Sequence, residues 1–486
     1  MLPDLPNSFV IKDPEGQHLS EDEREPAEDV RRMRLHSVGD FVIEDDDVES
    51  PGEAAKTART VKRESTKTTF KGSRRILKSF LRACDAMIAE DSLQVPPELN
   101  AWFDDIRDAS QDPPERKLGW PLTLALSLIG LGLGSGITWA VTLAPVSTVY
   151  MGLGLFSGIF GVARLQAEMA AMGGVLAKTL AWYLAPTIKS LDEVGRYVVS
   201  ILLAAFLEYP FLTFANSIAL KNKTAMRLRT IQDAVDVVAS FIMVAVSGIG
   251  VVDVFTITQA LLALLRVVIA TWGPRYCLPA PKEDAAPPTK KRLSVHRRRR
   301  YLGRMVALYE KIVTGETNPV FKEWFDSRKQ DLMQLPPLTT KDWIKAKFTL
   351  AALVCISLTV GGIVMGVIGF SLPNDAYVLG VAGILGMSLA WYVGPSLKDR
   401  SFMLKWVVSV VLTATLEYPF LTAANSRAAK TQTTFELRAV QDLVAIVTST
   451  VLIMVLSHVR LNRVDVAQLA IGVFRVVVVT RFFYTL

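Results

Sequence analysis

Residues 122–143 and 348–371 are apolar on every side of a helix, and each supplies the roughly 20 residues needed to cross a bilayer core of about 30 Å. A helix packed on a soluble core carries a single apolar stripe, so lipid is the simplest solvent for these two. Several further stretches of that length hold at most one charge, and 50% of the 486 residues are hydrophobic. The fold class that follows is all-α, a multi-pass transmembrane helical bundle.

The sequence also repeats itself, and self-similarity bounds a fold before any motif does. Ala181, Trp182 and Tyr183 precede LEYPFLTFANS at 207–217, then Arg229, Gln232, Asp233, Gln259 and Arg266. Ala390, Trp391 and Tyr392 precede LEYPFLTAANS at 416–426, then Arg438, Gln441, Asp442, Gln468 and Arg475, each 209 positions later. Upstream, Trp102 and Phe103 match Trp324 and Phe325 at a spacing of 222. The change of offset gives the first of two tandem homologous copies about 14 extra residues between Trp120 and Trp182, within an additional hydrophobic stretch around 144–174.

Charge sets the expected domain limits. Residues 1–72 are acidic and then basic, and too poor in apolar residues to bury a core, which predicts a disordered acidic N-terminal tail. A helical segment at 73–118 leads into a membrane bundle at 119–277. A basic linker at 278–299 is followed by a second helical segment at 300–345 and a second bundle at 346–486. Lys and Arg gather on the cytoplasmic side of short loops, so the tail, the linker and the two helical segments are expected in the cytosol. No signal peptide is expected, since the first apolar run begins after Lys117. The linker residues Lys290, Lys291, Arg292, Arg297, Arg298, Arg299 and Arg300 suit anionic lipid beside a membrane. The formal charge of +7 would also suit nucleic acid, but so much apolar sequence favours the bilayer as partner.

Expected membrane segments are 119–143, 146–165, 168–186, 197–216, 232–251 and 255–273 in the first copy. In the second they are 347–371, 376–394, 402–423, 439–458 and 464–482. Six and five crossings would invert the last three helices between the copies, as in many secondary transporters. The loops at 217–229 and 426–438 are both basic, which instead favours one side for both and two parallel four-crossing copies.

Glu208 and Glu417 lie near the middle of their segments, where an acid costs roughly 2.5 to 3.5 kcal/mol. Arg266 and Arg475 are equally central, and the expectation is acid and arginine contact within each copy, serving either an ion pathway or a structural lock. Pro210 and Pro419 each remove a backbone donor two residues on, which predicts a helix kink. Arg229 with Asp233, and Arg438 with Asp442, read as ordinary support four residues apart at a helix start. Gly130, Gly132, Gly134 and Gly136, like Gly362 and Gly366, have the spacing of close helix packing.

The four histidines are isolated, and HExxH, GxSxG and paired CxxC motifs are absent. Cys84, Cys277 and Cys355 are scattered, so neither a metal centre nor a cofactor is expected. Two functions lead, a transporter or channel-like protein with the charged residues at its centre, or a non-enzymatic membrane-shaping scaffold, with an intramembrane enzyme using Glu208 and Glu417 as the minor alternative. A scaffold of that kind, viral or parasite-encoded for instance, would recruit partners through the tail and linker.

Overall fold

The computed structural model describes residues 74–88, 100–110, 117–142, 144–188, 191–222, 224–246, 254–277, 295–312, 319–336, 349–373, 375–397, 400–457, 461 and 463–483. The acidic tail and the linker residues Lys290, Lys291 and Arg292 lie outside them. Every element among the described residues is a helix. In chain order these are α1 (Arg74–Ile88), α2 (Asn100–Ser110), α3 (Trp120–Thr142), α4 (Pro145–Arg164), α5 (Ala167–Thr187) and α6 (Glu193–Leu203). Then come α7 (Tyr209–Lys221), α8 (Ala225–Val246), α9 (Val254–Cys277), α10 (Val295–Ile312), α11 (Pro319–Gln334) and α12 (Leu350–Ser371). The last are α13 (Ala376–Ser396), α14 (Phe402–Leu412), α15 (Tyr418–Thr431), α16 (Thr434–Ser457) and α17 (Arg463–Phe483).

Two compact units form, one from residues 1–114 with 283–347 and one from 115–282 with 348–486. In the first, α1 turns Leu77, Phe80, Leu81, Cys84 and Met87 to one side, the three-and-four spacing of an amphipathic helix. They bury against Trp102, Phe103 and Ile106 of α2 and against Tyr301, Leu302 and Met305 of α10. The Phe103 ring meets that of Trp324 edge-on at 6.0 Å. One hydrophobic core thus joins residues that precede α3 to residues that follow α9. Helix α10 begins at Val295, not at the expected boundary of 300, so Arg297, Arg298, Arg299 and Arg300 belong to it. Arg299 donates to the Leu335 carbonyl of its own unit.

The second unit holds seven helices long and apolar enough to cross a membrane, by length and composition, among the described residues. They are α3, α4, α6 running on into α7, α12, α13, α14 running on into α15, and α16. Such a set is compatible with an integral multi-pass membrane protein. On α12, Leu353, Ile356, Val360, Val364 and Val367 stand exposed on an outward surface fit for lipid. Helices α5 and α8 fall outside that set; Lys178 of α5 and Arg229, Asp233 and Asp236 of α8 are buried, whereas Glu168 is half-buried and Arg227 exposed.

Elements of the second unit recur at the sequence offset. Helices α13, α14, α16 and α17 begin 209 residues after α5, α6, α8 and α9. Gly154 packs on Gly173 and Leu176, and Gly362 packs on Ala382 and Leu385. Gly158 lies under the Phe211 ring as Gly366 lies under that of Phe420, so a side chain at either glycine would strike the ring. Helix α12 therefore corresponds to α4, and the glycines matching Gly362 and Gly366 are Gly154 and Gly158. Among the described residues, α3 (Trp120–Thr142) has no helix at the matching position.

Where matched helices meet, they run in opposite directions. Asp236 of α8 pairs with Arg438 of α16, and five residues further along α8 the Phe241 ring lies 5.6 Å from Phe435, three residues back along α16. The hydroxyls of Ser200 and Thr422, on opposite sides of the two glutamates, are 3.4 Å apart.

Candidate functional site: buried charge where matched helices cross

The prolines begin the local chemistry. Pro210 has no N–H, and just before it the helix changes register: the Tyr209 N–H bonds the Ala204 carbonyl, five residues back instead of four. A wider turn of this kind often marks a functional site. The bypassed Ala205 carbonyl accepts from the indole of Trp406 at 3.0 Å. The other half does the same. Tyr418 N–H bonds Thr413, and the bypassed Ala414 carbonyl accepts from the Tyr197 hydroxyl at 2.6 Å. Tyr197 and Trp406 are themselves 209 apart, so each half caps the opened backbone of the other.

The wide turns deliver Glu208 and Glu417 into the same seam, both fully buried. Tyr418 donates its hydroxyl to Glu208 at 2.8 Å, and Tyr209 donates to Glu417 at 2.5 Å. Thr413 adds a second donor to Glu417 at 3.0 Å, while the matching position before Glu208 is Ala204. The Oε1 atom of each glutamate has no hydrogen-bond partner among the described residues.

The arginines go elsewhere. Arg266 pairs with Asp233, which also takes Arg229 at 2.7 Å. Arg475 pairs with Asp442 at 2.5 Å, and Asp442 takes Arg438 at 2.7 Å. The expected contacts of Glu208 with Arg266 and of Glu417 with Arg475 are thus replaced. The reason is geometric: α8 packs on α9 and α16 on α17, each facing an aspartate to an arginine 33 residues on. The wide turn meanwhile aims each glutamate at the opposite half. The pairs at Arg229 and Arg438 are not surface supports either, since all four of their residues are no more than 4% exposed.

One ion pair breaks the match between halves. Lys178 of α5, fully buried, holds Asp236 of α8 at 2.5 Å, and Asp236 also receives Arg438 from the other half. The ammonium lies over the Trp182 ring at 4.2 Å and 5.1 Å from that of Trp391. At the corresponding positions of the second half stand Met387 and Ala445. The aspartate arm is continuous from Lys178 through Asp236, Arg438 and Asp442 to Arg475, and its mirror image is cut. A lysine and an aspartate inside apolar runs, each facing a neutral residue in the other copy, were the sequence signal for this pair.

Asn216 donates to the Leu212 carbonyl of its own helix at 2.9 Å, while the Asn425 amide has no partner among the described residues. No group of His, Cys, Asp and Glu with the makings of a metal site occurs among the described residues. Comparison with protein-family models, with curated proteins and with solved structures found no match. Function is therefore read from the geometry.

Proposed function

We propose that this chain is an integral membrane transporter made of two tandem copies inserted in opposite orientation, with Glu208 and Glu417 as its proton-exchanging pair. The observation that carries the reading is the reciprocal seam. Two buried carboxylates, each on a widened helical turn, are held by tyrosines of the opposite half. Inverted copies with interrupted helices meeting near the midplane are the architecture of secondary transporters. A buried acid in such a seam is a proton-relay candidate by default.

Orientation has its own support. The first unit shares one core between segments on either side of α3 to α9, so both segments belong on one side of the membrane and an even number of crossings separates them. With α3, α4, α5, α6 to α7, α8 and α9 that number is six. The second half starts from the same side one helix short, so every matched helix is inverted, in keeping with the opposed directions of α8 and α16. The basic residues support a cytosolic location for that side and contact of the linker with anionic lipid.

Cysteines introduced near residue 60 and within 285–295 are expected to react only with reagent on the cytosolic face, and one at residue 144 only from the opposite face. Residue 144 labelling with the other two would remove the inverted arrangement. The transport reading is tested by purified protein in vesicles carrying an internal pH dye under an imposed proton gradient. Proton flux is expected in the parent and a fall of at least tenfold in Glu208→Gln. Absent flux in correctly folded parent would leave the scaffold reading in its place.

A further inference from the structure

Four helices, α8, α9, α16 and α17, bring four arginines together around two aspartates. Arg229 and Arg266 share Asp233, and Arg438 and Arg475 share Asp442, a formal excess of two positive charges. Lys178 and Asp236 add one charge of each sign and leave the excess unchanged. All four guanidinium groups are no more than 4% exposed. Uncompensated charge in a low-dielectric interior is among the most costly arrangements a fold can hold.

Beyond Asp233, Asp442 and Asp236, no carboxylate is paired with any of the four arginines among the described residues. Glu208 and Glu417 lie close enough for charge to reach Lys178, and with both ionised the buried charges balance, but their hydrogen bonds go to tyrosines and not to the arginines. Asp465 sits in the first turn of α17, ten residues and therefore about 15 Å along the helix from Arg475. The centre is also rich in donors without a hydrogen-bond partner among the described residues. They include Nε and Nη1 of both Arg266 and Arg475, Nε of Arg229 and Arg438, and Nε2 of Gln232 and Gln441. Helix α9 packs on α17 and the charges of Arg266 and Arg438 both act on Arg475, so these groups belong to one cluster.

From these four buried arginines and their unpartnered N–H donors we infer that the centre of α8, α9, α16 and α17 binds a small inorganic anion, which is the substrate that the proposed transporter moves. The inference about transport rests on the reading above, whereas the binding site stands on the arginine cluster. Charge selects an anion, and donors presented from both halves suit a compact, roughly spherical ion over a long or planar organic one. Gln232 and Gln441 supply hydrogen bonds without charge and so set selectivity, while the arginines set affinity.

The probe is chloride, against gluconate at equal ionic strength, on the purified full chain in detergent. Chloride is expected to raise the melting midpoint of the parent by several degrees, with saturation. Gln232→Leu combined with Gln441→Leu removes donors but no charge, and is expected to reduce that shift at least threefold. Equal midpoints in chloride and gluconate would overturn the site, as would an unchanged shift in the double variant. Should Gln441→Leu prevent folding, Gln232→Leu alone is read in the same way. Vesicle flux separates the two claims. Saturable chloride stabilisation without chloride flux keeps the site and defeats the transport reading, while proton flux indifferent to chloride keeps that reading and defeats the anion as substrate.

Discussion

Asp233→Asn is expected to destabilise the protein by about 3 to 5 kcal/mol, because it leaves Arg229 and Arg266 buried with no carboxylate between them. The measurement is thermal unfolding in detergent, together with the yield of membrane-inserted protein. Adding Arg266→Gln to Asp233→Asn removes one of the stranded cations, so the pair should lose clearly less than the sum of the single changes. Glu208→Gln with Arg266→Gln is the control, since the glutamate bonds Tyr418 and the arginine bonds Asp233. Those two should add to within about 0.5 kcal/mol. Coupling in the control and additivity in the first cycle would mean that the partners have been assigned the wrong way round.

The second large effect concerns Lys178 and Asp236. Asp236→Ala alone strands a buried ammonium and is expected to cost about 3 to 5 kcal/mol. Lys178→Met with Asp236→Ala installs the residues that the second half already uses, Met387 and Ala445, and should return stability to within about 1 kcal/mol of the parent. Vesicle proton flux should nevertheless stay low in that double variant, because the link from Lys178 to Arg438 is gone. A double variant no more stable than Asp236→Ala would show that the lysine does not depend on the aspartate. One that is both stable and fully active would confine the pair to a structural role.

Sequence alone carried the helical content of the second unit well. Each expected segment overlaps an observed helix, because a residue that must satisfy its own backbone in lipid has few alternatives to a helix. The start of α8 was harder to read, since Arg227, Arg229 and Asp233 look like a water-facing turn until a second helix with matching charges is laid beside it. The glutamate and arginine pairing failed for a related reason. Equal depth in two helices does not say which faces meet, and a single residue of π register rotates everything after it by about 100°. Pro210 and Pro419 marked the position of that change but not its partners. The capping of Ala205 by Trp406, and of Ala414 by Tyr197, joins residues about 200 apart whose types differ between the halves, so comparing the copies hides it.

The unit built from α1, α2, α10 and α11 sets a timetable for the ribosome. Phe80, Trp102 and Phe103 emerge early, yet Trp324 and Met305, which cover them, follow only after α3 to α9 have been made. At roughly 5 to 20 residues per second, the interval from Ser110 to Val295 lasts on the order of ten to forty seconds. Throughout it an aromatic surface waits uncovered while the helices of the second unit are still being made. Assembly of this protein is therefore expected to depend on a holding chaperone that grips α1 and α2 and lets go when α10 arrives.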